Sequence, residues 1–233
     1  AWANNYLAFG HRRLSIMDLS SAGSQPMISS CNRFVIAFNG EIYNHRNLRK
    51  KIQDIEPSKT WVGHSDTETL VECISYLGLM ETLSLINGMF SFALWDKKRR
   101  KLSLARDRIG EKPLYWGWAD NNLIFGSELK SLRKHPKFNN EICEDALSQY
   151  FRFSYIPAPL SIHKGVYKLE PGTILETTGS IPQRPPDKTI QKNMKYGSIN
   201  IKSYWDLSSN KIIPRSLDKN TETQKIDHLH DLL

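Results

Sequence analysis

The sequence predicts an α+β fold in which the helices lie between pairs of strands. Short strands broken by turns follow one another from residue 7 to residue 132, and two convincing helices interrupt them. The helices fall between hairpins and do not follow each strand, so the βαβ alternation of a parallel doubly wound sheet is absent. These observations favour a layered α+β architecture.

The first buried strand is predicted over residues 34–38. Phe34-Val35-Ile36-Ala37-Phe38 is an unbroken apolar run rich in β-branched and aromatic residues. Such a run indicates a strand buried on both faces. Asn39-Gly40 is expected to end the strand, and a short basic helix is predicted over residues 44–52.

The clearest helix signal is Ser65-Asp66-Thr67-Glu68. Ser65 can cap the helix, Glu68 three residues later can bond back to Ser65, and Gly78 can end the helix. The apolar residues between them fall on one stripe, which is expected to lie on a sheet. A shorter helix is predicted over residues 81–86.

Two hairpins are predicted next, and a helix follows them. The expected strands cover residues 89–96, 101–106, 114–118 and 123–126, with the basic run Lys97–Lys101 at the first turn. Leu102 and Leu104 are expected to point inward. Ser127 is expected to cap a helix that contains Leu129 and Leu132.

The chain changes character beyond Pro136. A helix is predicted over residues 146–153, and prolines then separate two short strands. Residues 181–200 are rich in proline and polar residues and are typical of a linker. The chain begins at Ala1 without a Met and ends inside a helical pattern over residues 223–233, so we expect a fragment of a longer protein.

Composition narrows the function classes. The chain has 233 residues, a net charge of +8 and 39% hydrophobic residues, which is ordinary globular composition. No apolar run approaches the roughly 18 residues of a membrane span. The basic residues are scattered and no platform of aromatic and basic residues is visible, so neither nucleic acid nor membrane is an expected partner. Cys31, Cys73 and Cys143 lack zinc-ligand spacing, which indicates free thiols in the cytoplasm and no metal site.

Four strings in a fixed order give the chain a specific resemblance. They are Gly10-His11-Arg12-Arg13-Leu14-Ser15-Ile16, Phe38-Asn39-Gly40-Glu41-Ile42-Tyr43-Asn44-His45, Ser65-Asp66-Thr67-Glu68 and Ala105-Arg106-Asp107-Arg108-Ile109-Gly110-Glu111-Lys112-Pro113-Leu114-Tyr115. Together they closely resemble the glutaminase domain of glutamine-hydrolysing asparagine synthetases, a class II glutamine amidotransferase. The resemblance implies a four-layer αββα sandwich of the N-terminal-nucleophile hydrolase type, truncated at its start.

The resemblance also implies a glutamine-binding pocket. Arg13 would bind the α-carboxylate, because a guanidinium matches a carboxylate in shape and charge. Backbone groups of Leu14, Ser15, Ile16 and Met17 would line the pocket. Asn39 and Gly40 would form the oxyanion hole, Glu41 would lie beside it, and Asp66 would hold the α-ammonium.

Each of these residues also has a plainer interpretation. Arg13 could be a surface arginine in an ion pair, and Asn39-Gly40 could be a simple turn. Asp66 could be an acidic residue that the helix dipole favours in a first turn. We interpret Arg106, Asp107 and Arg108 as a structural ion-pair cluster.

The sequence departs from the family pattern at its start. The family nucleophile is an N-terminal cysteine whose α-amino group acts as base, and no cysteine of this chain falls at that position. The resemblance implies glutamine as substrate and an internal ammonia passage to a synthetase domain that uses ATP and Mg²⁺. A homodimer is possible.

We therefore expect residues 1–180 to be an incomplete glutaminase domain and residues 181–233 a linker and the beginning of a synthetase domain. The intact enzyme would amidate aspartate, and this fragment itself would be inactive. Two alternatives stay open: a different carboxylate acceptor, such as a sugar acid or secondary metabolite, or a relative without the nucleophile in which the domain is structural.

Overall fold

Two antiparallel sheets form the centre of the molecule. The computed structural model describes residues 1–12, 18, 20–186, 188–209 and 221–232. The larger sheet contains, in spatial order, β11 (Lys195–Tyr196), β12 (Ile199–Ser203), β10 (Thr173–Thr177), β6 (Lys101–Arg106), β5 (Gly88–Asp96), β4 (Phe34–Ile42) and β3 (Met27–Ile28). The smaller sheet contains β8 (Asn122–Gly126), β7 (Tyr115–Ala119) and β9 (Val166–Lys168). A separate two-stranded pair joins β1 (Trp2–Ala3) to β2 (Ala8–Phe9).

Helices pack on the outer face of each sheet. The helices of the described chain are α1 (His45–Ile55), α2 (Asp66–Leu77), α3 (Leu79–Leu85), α4 (Leu129–Leu132), α5 (Glu144–Phe153) and α6 (Glu222–Leu232). Helices α1, α2 and α3 share a core with the larger sheet. Helix α4 packs on the outer face of the smaller sheet through Leu132 and Val166. The predicted α+β class and the four-layer αββα order are therefore confirmed.

Strand β4 contributes side chains to two hydrophobic cores, one between the larger sheet and the helices and one between the two sheets. Phe34, Ile36 and Phe38 point to the helices, where they join Leu70 and Ile74 of α2. Val35 points to the core between the two sheets, which also contains Trp116 and Trp118. The strand is buried on both faces, as its apolar run predicts.

The prediction that β4 ends at Asn39-Gly40 is wrong. The ladder with β5 continues through Asn39–Ser91, Gly40–Phe90 and Glu41–Met89. The backbone of β5 approaches so closely that a Cβ atom at Gly40 would lie 2.1 Å from the carbonyl oxygen of Met89. Gly40 is thus needed for strand pairing, and the simple-turn interpretation is excluded.

Two cap predictions need correction. The Ser65 hydroxyl accepts from the Glu68 N–H at 3.2 Å, as predicted, but the Glu68 carboxylate accepts from the N–H groups of Val62 and Gly63. The Glu68 carboxylate therefore binds the loop before α2 and does not bond back to Ser65. Ser127 does not cap α4: Glu128 occupies the N-cap position, and its side chain makes no capping hydrogen bond within the described chain.

The Arg106–Arg108 cluster is structural, but within the described part of the chain hydrogen bonds to backbone groups, and not ion pairs, hold it together. The Arg106 guanidinium donates to the carbonyl oxygens of Gly110, Lys112 and Leu169. The Asp107 carboxylate accepts from backbone N–H groups, including that of Phe90 at 3.2 Å. These bonds fix the turn after β6 because they satisfy backbone groups that a turn leaves unpaired.

Part of the predicted linker belongs to the larger sheet. Within residues 181–200 the chain forms β11, enters β12 and buries Ile190 and Ile199 between the sheets. The boundary between the two predicted domains stays a prediction. Among the described residues, no helix has the length and apolar character needed to cross a membrane.

Candidate active site

A cleft of about 1060 Å³ opens where β4, the start of α2 and the turn after β8 meet. Its walls include residues 10–12, residues 38–41 of β4, residues 65–67 and the segment that runs from Phe125 to Lys134. Asn39, Gly40, Glu41 and Asp66 all line this cleft. Residues 13–17 lie outside the described residues, although Arg12 and Asp18 on either side of them both line the cleft.

Asn39 and Gly40 lie on consecutive positions near the end of β4. The Asn39 side-chain amide donates from Nδ2 to the Ser127 hydroxyl at 3.1 Å. An amide nitrogen has two N–H donors, so one remains for another acceptor. A side-chain amide beside a backbone N–H is the donor set that an oxyanion hole requires.

Asp66 is buried at the first turn of α2. Its Oδ2 accepts from the backbone N–H of Ile42, the last residue of β4, at 2.9 Å. Burial raises the pKa of the Asp66 carboxyl, and the N–H groups of Ile42 and Thr67 oppose that rise. The carboxylate therefore ties α2 to the strand that contains Asn39 and Gly40.

Two residues of the cleft, Gln25 and Ser127, could not be identified as site residues from the sequence. Gln25 accepts from the Phe38 N–H at 2.7 Å and donates to the Thr67 hydroxyl at 3.3 Å, so it joins β4 to the start of α2. Ser127 holds the Asn39 amide, whereas the sequence predicts only a helix cap there. These three bonds join residues 13, 42 and 88 positions apart in the chain, and no local sequence pattern indicates them.

The described cleft wall contains equal numbers of basic and acidic side chains. The four basic residues are Arg12, Lys112, Lys130 and Lys134, and the four acidic residues are Asp18, Glu41, Asp66 and Glu128. A cleft with such a balance suits a zwitterion better than a polyanion, which needs an excess of positive charge.

In the part of the chain that the structure describes, none of the cysteines lines the cleft. Cys73 lies on the buried side of α2, and burial raises the pKa of its thiol to about 12. Cys31 is exposed beside Ser75 of α2. Cys143 precedes α5. A thiol nucleophile for this cleft is therefore not among these three residues. The described residues also include no group of three or more His, Cys, Asp or Glu side chains that could hold a metal ion.

The chain belongs to the glutamine amidotransferase domain family, whose model matches residues 1–184. Two curated relatives are more specific. A putative asparagine synthetase [glutamine-hydrolyzing] 2 of Methanocaldococcus jannaschii is 36% identical over 183 residues, which cover 72% of this chain and 34% of the relative. Asparagine synthetase [glutamine-hydrolyzing] 3 of Bacillus subtilis is 32% identical over 214 residues, which cover 90% of this chain and 31% of the relative.

These matches confirm the resemblance seen in the sequence. The chain spans about a third of the length of both relatives. A solved structure, the glutamine phosphoribosylpyrophosphate amidotransferase of B. subtilis complexed with ADP and GMP, supports the fold alone. It aligns with a TM-score of 0.53 at 17% identity and covers 84% of this chain and 34% of that chain.

Proposed function

We propose that this chain is the glutaminase part of a glutamine-dependent asparagine synthetase. Family membership supports glutamine as the substrate, and the names of the curated relatives support asparagine as the product. The single observation on which the proposal rests is the convergence of Asn39, Gly40 and Asp66 on one cleft.

Glutamine would bind through both ends of its amino-acid group. Asp66 presents a carboxylate in the cleft wall that can hold the α-ammonium, and Arg13 would bind the α-carboxylate. The side-chain amide would then point to Asn39 and Gly40. The Gly40 N–H and the second N–H of the Asn39 amide would donate to its carbonyl oxygen as negative charge develops there.

The nucleophile would come from a part of the complete protein outside these 233 residues. In this class a cysteine thiolate attacks the amide carbon, ammonia leaves with the proton that the α-amino group holds, and water hydrolyses the thioester to glutamate. The ammonia would pass to a synthetase domain, where ATP and Mg²⁺ activate the β-carboxylate of aspartate. The cytoplasmic location and the homodimer stay predictions.

Substitution of Asn39 in the complete protein tests the proposal. Asn39→Ala should lower kcat for glutamine hydrolysis by roughly 10²–10³, the usual effect of removing one oxyanion-hole donor. Ammonia-dependent synthesis of asparagine should persist. Asn122→Ala is the matched control, since Asn122 is exposed at the start of β8.

Normal glutamine turnover in Asn39→Ala would remove Asn39 from the site. Absence of glutamine hydrolysis in the wild-type protein would overturn the glutaminase proposal itself. Hydrolysis without amidation of aspartate would indicate a different acceptor.

A further inference from the structure

Helix α5 presents apolar side chains that the rest of the described chain leaves exposed. Phe151 is 78% exposed and Tyr150 is 50% exposed, and Leu147 and Phe153 of the same helix are exposed too. Ala146 is the one α5 residue that the described structure buries. An amphipathic helix normally turns its apolar residues inward, so this exposure requires an explanation.

The exposure does not come from a loose helix end. The Cys143 N–H, just before α5, donates to the carbonyl oxygen of Ile162 at 2.9 Å. At the other end Ser154 takes a left-handed conformation, and its N–H donates to the Tyr150 carbonyl oxygen at 2.8 Å. The chain after α5 is bound to β9, because the Lys168 N–H donates to the Pro159 carbonyl oxygen at 2.8 Å. The helix thus ends in a regular cap, and the segments on either side of it are bonded to the rest of the chain.

The exposed apolar residues are close neighbours. Leu147 and Tyr150 are three positions apart and Leu147 and Phe151 four, so they share one side of the helix. The rings of Tyr150 and Phe151 are 6.2 Å apart, as are those of Phe153 and Tyr155. We call Leu147, Tyr150, Phe151, Phe153 and Tyr155 the α5 face. Exposed patches of this kind mark interaction sites, and aromatic residues dominate the binding energy of interfaces.

We propose that the α5 face docks against the synthetase domain of the same polypeptide. This proposal rests on the proposed function, which supplies that domain. The curated relatives give the reason for an intramolecular partner, since about two thirds of their length lies outside the region that this chain matches.

The charges of α5 suit a protein partner. Acidic Glu144 and Asp145 at one end of the helix and basic Arg152 at the other suit a protein surface better than an anionic membrane.

Docking at α5 would fix the glutaminase cleft relative to the synthetase site. A fixed geometry keeps ammonia inside the protein between release and use. Loss of the interface should therefore uncouple the two reactions while leaving each of them active.

Hydroxyl-radical footprinting of the complete wild-type protein tests the contact directly. Tyr76 of α2 is 39% exposed and serves as the internal reference. If the α5 face is docked, Tyr150 and Tyr155 should be oxidised more slowly than Tyr76, although both are more exposed than Tyr76 in this chain. Faster oxidation of Tyr150 and Tyr155 than of Tyr76 would overturn the proposal, and no variant needs to fold for this measurement.

A matched pair of variants tests the consequence. Phe151→Gln removes the most exposed aromatic side chain of α5, and Met80→Gln changes an exposed apolar residue on a different helix, α3. In Phe151→Gln the ratio of glutamine-dependent to ammonia-dependent synthesis should fall about tenfold, a typical loss for an interface hot spot. Glutamine hydrolysis should stay unchanged, and Met80→Gln should match the wild type.

An unchanged ratio in Phe151→Gln would overturn the docking proposal. So would a change from dimer to monomer with coupling intact, since the face would then bind a second copy of the chain. Failure of the wild-type protein to hydrolyse glutamine would instead overturn the proposed function, and the footprint would still report whether the face is covered.

Discussion

Asp66 occupies its place in the cleft wall at a cost to folding stability. Burial raises the pKa of its carboxyl despite the N–H donors around it, so the folded chain binds this proton more tightly than the unfolded chain. The free energy of unfolding therefore falls as pH rises through the interval between the unfolded and the folded pKa. An acidic residue kept only for its interaction with the helix dipole would show the opposite sign.

Asp66→Asn separates these two roles. In the complete protein the variant should have a higher free energy of unfolding than the wild type at neutral pH. The difference should vanish below the unfolded pKa, where the wild-type carboxyl is protonated in both states. Urea unfolding at neutral and acidic pH measures the difference.

The same Asp66 variant should bind glutamine poorly. Its KM for glutamine should rise roughly 10- to 100-fold, because a hydrogen bond to a charged group contributes about 1.5–3 kcal/mol. Steady-state kinetics measures this, with ammonia-dependent synthesis as the control. A less stable variant with a normal KM would limit the role of Asp66 to its interaction with the helix dipole.

Ser127 is expected to position the Asn39 amide for catalysis. Without the hydroxyl that accepts from Nδ2 at 3.1 Å, the amide can rotate away from the oxyanion position. Ser127→Ala should lower kcat for glutamine hydrolysis about tenfold, less than the loss of the donor itself. The KM for glutamine should stay close to that of the wild type.

Ser127→Thr is the rescue variant, since it keeps the hydroxyl. Near-normal kcat in Ser127→Thr would support a positioning role. Equal losses of kcat in both variants would indicate that the turn after β8 is disturbed in some other way.

At the scale of elements, the pairing of β4 with β5 requires a glycine at position 40. A methyl group there would meet the Met89 carbonyl oxygen at 2.1 Å and the Phe90 Cα at 2.7 Å, so the two strands would have to separate. We expect Gly40→Ala to lower the free energy of unfolding by about 3 kcal/mol or more. Gly10→Ala is the control because no described residue lies within 4 Å of its added Cβ. Chemical denaturation compares them, and equal stabilities would contradict the packing argument.

Elements with strong local signals could be predicted from the sequence. The Ser65 cap, the Gly78 stop and the hairpin of β5 and β6 all depend on residues close together in the chain. The continuation of β4 and the pairing of β12 with β10 depend on partner strands that no local pattern reveals. Local propensity therefore favours a turn at Asn39-Gly40, and tertiary pairing makes it a strand.

The candidate site also contains residues that the sequence predicts and residues that only the structure reveals. The family resemblance identifies Asn39, Gly40, Glu41 and Asp66, and the structure brings these four residues to one cleft. Gln25 and Ser127 escape such a prediction, because their bonds to Phe38 and Asn39 exist only once distant segments meet. The role of each residue in the reaction stays a prediction.

At the scale of the whole molecule, the segment after residue 180 helps to close the space between the two sheets. Ile190, Ile199 and Ile201 are buried in that space, in the same core as Trp116 and Trp118. If this segment were only a linker, substitutions in it would not change the stability of the core. If it is a strand of the domain, substitutions of its buried residues would lower that stability.

Ile201→Ala distinguishes a linker from an integral strand. Because Ile201 is 3% exposed and lies on β12, its truncation should lower the free energy of unfolding of the glutaminase domain by about 2–5 kcal/mol. Met194→Ala, at an exposed position of the same segment, should change it by less than about 0.5 kcal/mol. Denaturant unfolding followed by the fluorescence of the buried tryptophans measures both variants in the complete protein.

If Ile201→Ala were as stable as Met194→Ala, the glutaminase domain would end before β12. A large loss of stability in Ile201→Ala, without one in Met194→Ala, would place the end of the glutaminase domain after Ser203.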